Sequence, residues 1–212
     1  MAEDERGVEA LRRLDALTRQ LRVECPWDRE QDERSIVPHT VEEAYELAAA
    51  AHGDDDAKLL DELGDVLFQV HFLALLLEER GAGSLADVAE HVRQKLIRRH
   101  PHVFGDAEAE SAGAVLRNWD RIKAGEEGRE PGIFGDVPEN LPAPLYARKL
   151  QRRASSAGRW PAAGDSQPDE ASFQAIGDEL FALVDRARML RVDPELALRA
   201  AADRFREQIG DE

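Results

Sequence analysis

The sequence predicts an all-α protein. Apolar residues recur at three- and four-residue spacing through nearly the whole chain, strand-like alternation is almost absent, and the breaks between periodic segments hold caps, glycines and prolines. Val8, Leu11, Leu14, Leu17 and Leu21 form the apolar stripe of a first helix that ends before Cys25-Pro26-Trp27-Asp28. A loop through Pro26 and Pro38 follows, and Thr40 is positioned to cap a second helix reaching about His52-Gly53. Asp54 to Asp56 open a longer third helix ending near Gly81. Ser84 with Asp87 makes a capping box for a fourth, stopped by Pro101. Four helices with short connections predict a helical bundle.

The remaining chain is more polar. Val115 to Lys123 reads as a short helix carrying Asn118 and Trp119, followed by a Gly/Pro-rich connector. Tyr146 to Ala157 is a basic helix, and AGRWPAAGDSQPD is a second loop. Phe173 to Leu190 and Pro194 to Gln208 close the chain as a helical pair, with Asp193-Pro194 as N-cap and first-turn proline. One internal echo is visible: ELGDVLFQVHFLA (Glu62 to Ala74) resembles AIGDELFALVDRA (Ala175 to Ala187), which suggests a decayed duplication.

A chain of 212 residues is long enough for a real core. Its net charge of −16 and pI near 4.8 argue against a duplex nucleic-acid surface, since phosphate backbones are bound by Lys and Arg. Cys25 is the single cysteine, which excludes an intrachain disulfide, speaks against a Cys-based zinc site, and fits a reducing cytoplasm. The N-terminus lacks a basic then apolar leader, and Leu67 to Leu77 is too short to span a bilayer and contains Gln69 and His71. The expectation is a soluble cytoplasmic protein with no membrane partner.

Two acidic clusters stand out. Glu42, Glu43 and Glu46 lie in VEEAYEL, and Glu62 and Asp65 lie among Leu59, Leu60, Leu63, Val66, Leu67, Phe68 and Val70. Residues at i,i+3 share a helix face, so Glu43/Glu46 and Glu62/Asp65 converge if the two helices pack antiparallel. Converging carboxylates in a low-dielectric site do not all stay ionised without a cation. An all-oxygen ligand set favours Mg²⁺ first and Mn²⁺ second. The bland alternative is a capping box, with Thr40 as cap and Glu43 as its third-position acid. A di-iron carboxylate bundle wants Glu-x-x-His on two helices, whereas the third positions here are Glu46 and Asp65.

Lys95, Arg98 and Arg99 stand with His100 and His102 at a helix C-terminus, where cations are favourable whatever the function. Placed beside a metal site, they are candidate polyphosphate contacts. Trp27, in a loop, is a candidate to stack a base.

The segments CPWDREQ, EEAYE, ELGDVLFQVHF, KLIRRHPHVFGD, NWDRIK and VPENLPAPLYARKLQRRA closely resemble the MazG nucleoside triphosphate pyrophosphohydrolases, in order over nearly all of the first 160 residues. The resemblance implies an all-α fold, a tight homodimer whose subunits together complete a helical bundle, and Mg²⁺-dependent hydrolysis of nucleoside triphosphates to monophosphate and pyrophosphate. The family motif Glu-Glu-x-x-Glu followed by Glu-x-x-Asp supplies metal ligands, and its positions map here onto Glu42, Glu43, Glu46, Glu62 and Asp65. The mechanism expected has Mg²⁺ bound by Glu43, Glu46, Glu62 and Asp65, with Glu42 or an unengaged oxygen of Glu46 accepting the proton of the attacking water. Nucleotide-pool house-cleaning is the role that fits. The organisation expected is a catalytic domain at 1–124, a connector with basic helix and linker at 125–167, and a degenerate second helical segment at 168–212.

The chain departs from the family pattern twice. Asp32-Glu33 stands where Thr-His usually follows CPWD-x-x-Q, and in the second half Ala175 replaces the motif's Glu while the preceding Glu-Glu-x-x-Glu helix is missing. A rival reading is a non-catalytic nucleotide-sensing or partner-binding dimer that kept the acidic cage. Intact acids at all five positions favour the enzyme.

Overall fold

The computed structural model describes residues 2–126, 128, 130–135, 137–164 and 169–210. Regular structure among them is helical throughout: α1 (Ala2–Glu24), α2 (Pro26–Glu30), α3 (Glu33–Ala50), α4 (Asp56–Glu79), α5 (Leu85–Arg99), α6 (Pro101–Phe104), α7 (Ala112–Ala124), α8 (Ala143–Ser156), α9 (Glu170–Met189) and α10 (Pro194–Ile209). The chain divides into two compact units, residues 1–94 and 95–212, with the division inside α5. No described helix is long and apolar enough to cross a membrane.

In the first unit α3 and α4 form a hairpin, and α1 packs on α4 and α2. Its core is Ile36 of α3 against Phe72 and Leu76 of α4, flanked by Phe68 and Leu73. The C-terminal end of α4 carries two acids, Glu78 and Glu79, where the helix dipole disfavours negative charge. Arginines of α1 offset this. Arg19 donates to both Glu78 oxygens at 3.1 and 2.6 Å, and Arg22 to both Glu79 oxygens at 2.8 Å. Hydrogen bonds from these guanidiniums hold both carboxyls below their ordinary value. Arg22 also donates to the carbonyls of Asp28 and Gln31, which ties down the short α2.

The second helix starts earlier than the sequence predicts. Asp32 accepts from the Arg34 and Ser35 amides at 2.9 Å, and its own amide donates to the Ser35 hydroxyl at 2.9 Å, a complete capping box. Pro38 therefore lies inside α3, close enough to the start that it removes one backbone bond without ending the helix. Thr40 is an interior residue, its hydroxyl donating to the Ile36 carbonyl at 3.3 Å. The capping role expected for Thr40 is thus replaced, and Glu42 and Glu43 sit in mid-helix rather than in a first turn. α4 follows the sequence closely, with Asp55 capping the amides of Ala57 and Lys58. Ser84 and Asp87 make the expected box at the head of α5.

One face of the hairpin remains open. Leu60, Leu63, Leu67 and Val70 of α4 and Val37, Val41 and Tyr45 of α3 are exposed. The four-helix core expected for this region is therefore not complete within the unit, since Val88 and Val92 of α5 are exposed as well.

The second unit is built on α8 and α10. Tyr146, Leu150 and Ala154 of α8 meet Ala202 of α10, and Phe134 and Val137 of the Gly/Pro-rich segment complete the core. That segment is held by Arg153, which donates to the Ile133 and Phe134 carbonyls at 3.3 and 2.7 Å. Gly135, at φ +40°, is required there, because a Cβ would meet the Glu130 carbonyl oxygen at 2.9 Å. Both oxygens of Glu195 accept from the Ala143 amide at 2.7 and 2.9 Å, placing a carboxylate from α10 at the N-terminus of α8. Asp120 joins α7 to α8 through Arg152 at 3.2 Å and the Ser156 hydroxyl at 2.8 Å.

Candidate metal centre

The hairpin turns the two acidic clusters toward each other. Glu43 from α3 and Glu62 and Asp65 from α4 each offer an oxygen within 4.8 Å of the others. Glu62 is the most enclosed, 7 % exposed, and its Oε2 has no hydrogen-bond partner. Glu43 is half-buried and Asp65 exposed, so the cluster opens to solvent on one side. It borders a groove of about 600 Å³ lined by Ala57, Lys58, Leu60, Asp61, Glu62, Gly64 and Asp65.

The electrostatics follow from this crowding. Burial pushes the Glu43 carboxyl above its ordinary value, and the charges of Asp65, Glu46, Glu62 and Glu42 push it further. Glu62 is raised first by burial and then by Glu46, with Lys58 opposing and Asp65 and Asp61 adding. Glu46 lies outside the close trio, yet it is the largest charge acting on Glu62. A site whose acids are mutually destabilising, with one buried oxygen unpartnered, is suited to a hard divalent cation.

The other sequence-predicted residues fall in separate places. Glu42 is exposed and accepts from His39 Nδ1 at 3.2 Å when that nitrogen is protonated. The Trp27 ring, half exposed, meets His39 edge to face at 5.9 Å. His39 thus links Trp27 to the first acidic cluster, and its position three residues before Glu42 is the sequence signal for that link.

Lys95, Arg98 and Arg99 belong to the second compact unit. Arg98 reaches Glu126 Oε1 at 3.1 and 2.8 Å, and Arg99 grips both Glu126 oxygens, with Nε at 2.9 Å. Arg99 is buried and also lies over the Trp119 ring at 5.1 Å. The paired guanidiniums hold Glu126 down at about 2, Arg99 contributing most. Lys95 is half-buried.

Fold and site together define an all-α protein with a cluster of carboxylates on a helical hairpin. A profile of the MazG nucleotide pyrophosphohydrolase domain matches residues 31–104, the stretch containing all five acids. The chain is similar to the nucleoside triphosphate pyrophosphohydrolase of Escherichia coli (strain K12), 37 % identical over 203 residues, covering 85 % of this chain and 77 % of that protein. Similarity to the nucleoside triphosphate pyrophosphohydrolase/pyrophosphatase MazG of Thermotoga maritima is 40 % over 205 residues, 87 % of this chain and 77 % of that one. The uncharacterized protein YabN of Bacillus subtilis is 36 % identical over 204 residues, 87 % of this chain and 42 % of its own length. The chain belongs to the MazG family.

Proposed function

We propose that this protein is a nucleoside triphosphate pyrophosphohydrolase dependent on Mg²⁺, with Mn²⁺ as a substitute, acting in nucleotide-pool house-cleaning. The observation that carries the reading is the convergence of Glu43, Glu62 and Asp65, with Glu62 buried and unpartnered, inside the segment that matches the family profile. Glu43, Glu46, Glu62 and Asp65 would hold the cation. When bound, Mg²⁺ supplies positive charge to the triphosphate and the departing pyrophosphate and acidifies water.

The chain's own residues do the rest. Glu42, exposed at the edge of the cluster, or an unengaged oxygen of Glu46, takes the proton of the attacking water. Water adds at one of the two phosphorus atoms flanking the α–β bridging oxygen, the bond from that phosphorus to the bridging oxygen breaks, and monophosphate and pyrophosphate separate. Trp27, braced by His39, offers an aromatic edge or face to the base. Lys95, Arg98 and Arg99 are the candidate phosphate contacts, and Arg98 and Arg99 must exchange Glu126 for phosphate to serve.

A homodimer is part of the same reading, supported by the open apolar face of the α3–α4 hairpin. The catalytic segment is residues 1–124, with 125–167 a connector and 168–212 a helical segment without acids for a second cage. Pyrophosphate release from several nucleoside triphosphates, measured with Mg²⁺, with Mn²⁺ and with chelator, tests the proposal. Release only with a divalent cation is expected. Metal-independent release, or none with any triphosphate, contradicts it.

A further inference from the structure

We infer that the outer face of α8 is a binding site for a small phosphate ester, its phosphate gripped by Arg148, Lys149 and Arg152 and its organic body lying on Leu141 and Leu145. These five residues line a groove of about 400 Å³. Leu145, Arg148, Lys149 and Arg152 follow one another at i, i+3, i+4 and i+7, which makes them one stripe of the helix. Tyr146, Leu150 and Ala154 occupy the opposite face and pack in the core with α10. That packing holds the stripe in place.

Two cations of this stripe lack the partners that account for the other arginines of α8. Arg153 donates to the Ile133 and Phe134 carbonyls, and Arg152 pairs with Asp120 of α7 at 3.2 Å. Arg148 and Lys149 have no hydrogen bond or ion pair among the described residues. Both lie in the middle of α8, beyond the last turn where the helix dipole favours a cation. Lys149 is half-buried, and its ammonium is held below its ordinary value first by burial, then by Arg153, Arg152 and Arg148. A lysine stem can lie buried while its head escapes into water, but this head stays among guanidiniums. An anion in the groove relieves that repulsion.

The groove selects the kind of anion. Its lining residues include no acid, so it forms a local basic patch on a chain of net charge −16. Asp120 engages Arg152 and leaves Arg148 and Lys149 to the ligand. A guanidinium fork matches two phosphate oxygens, and the ammonium adds a point charge beside it. The volume falls at the lower end of small-molecule pockets, roughly 300 to 1,000 Å³, which suits a single small ester. Leu141 and Leu145, the latter 42 % exposed, offer hydrocarbon to an apolar or aromatic body and nothing to a second phosphate. The groove shares no residue with the cluster of Glu43, Glu62 and Asp65, so the inference is independent of whether that cluster turns over nucleotides.

Calorimetric titration of the full chain with phenyl phosphate and with inorganic phosphate, both in the presence of chelator, tests this. Phenyl phosphate should bind at least about threefold more tightly than inorganic phosphate, because its ring covers the two leucines. Arg148→Met and Lys149→Met should each weaken phenyl phosphate at least about tenfold. The thermal midpoint of either ligand-free variant should hold or rise, since one of several crowded cations is gone, whereas a misfolded variant would show a fall. Arg148 is exposed, so its variant reads charge without disturbing packing. Lys149→Arg keeps the charge and should keep most of the affinity. Leu145→Ser should remove the preference for phenyl phosphate and leave inorganic phosphate as in wild type. AMP identifies the source: tighter binding than phenyl phosphate assigns the ester to the nucleotides, weaker binding to a smaller ester, and both uphold the site. No binding by wild type, equal binding of phenyl and inorganic phosphate, or wild-type affinity in Arg148→Met or Lys149→Met overturns the inference.

Discussion

Glu43 and Glu62 meet across the α3–α4 hairpin with oxygens inside a 4.8 Å cluster shared with Asp65, and burial together with the surrounding acids holds both carboxyls above their ordinary value. Because α3 starts at Glu33, Glu43 lies in mid-helix, away from the first turn. Were Thr40 the cap, Glu43 would be a first-turn acid balanced by the helix dipole and its charge would need no other partner.

Glu62→Gln keeps the side chain's volume while removing its charge and a good hard-metal ligand. Turnover should fall at least about a hundredfold. The metal-free thermal midpoint should not drop, since one of several crowded acids has been neutralised. Pyrophosphate release and thermal unfolding on the same preparation check both halves, and near wild-type turnover would remove Glu62 from the mechanism.

A pH dependence follows from the same crowding. Glu43 and Glu62 have folded-state values raised above the unfolded ones, so the metal-free folded chain binds more protons in that window. Their contribution to stability is complete below the unfolded value, lost as pH rises through the folded values, and absent above them. Metal-free Glu43→Gln/Glu62→Gln should therefore gain on wild type in thermal midpoint as pH rises from about 4 toward neutrality. Saturating Mg²⁺ should stabilise wild type at neutral pH and leave the double variant unmoved. A gap between the two metal-free proteins that stays flat with pH would contradict the electrostatic account.

Glu126 titrates in the opposite sense. Held down at about 2 by Arg99 and Arg98, it contributes stability that is present above the unfolded carboxyl value and lost as pH falls through about 2. Glu126→Gln should lower the thermal midpoint at neutral pH and approach wild type in strong acid. An equal deficit at all pH values would assign the effect to packing alone.

In the C-terminal segment, Asp178 stands with Ala175 one turn earlier and is too poor in oxygens to hold Mg²⁺ against its hydration. Asp178→Asn should leave hydrolysis within about twofold of wild type, a barrier change below roughly 0.5 kcal/mol. Loss of turnover in this variant, with Glu62→Gln active, would move the active site to the other half of the chain.

Much of this was legible from residue pattern because helices announce themselves locally. The Asp55, Ser84 and Asp193 caps and the apolar spacing of α1, α4 and α10 all lie within a turn or two of the elements they define. The start of α3 is hidden in the sequence because Pro38 reads as a breaker, while the Asp32/Ser35 box that overrides it lacks the Glu or Gln that usually marks such a box. Long-range pairs leave no local trace. Nothing near Arg98 and Arg99 points to Glu126, and nothing in Phe134 or Val137 announces a core with α8 and α10. In the acidic site, i,i+3 spacing exposed Glu43, Glu62 and Asp65 together, but which acid is buried depends on hairpin packing and only the fold assigns that to Glu62.

Cleavage between the α- and β-phosphates is the reaction proposed for this acidic hairpin. Phosphorus NMR of GTP incubated with the protein and Mg²⁺ reads the bond directly. GMP and pyrophosphate should appear together from the first spectrum. GDP and orthophosphate as first products would place cleavage at the β–γ bond and rule out a pyrophosphohydrolase.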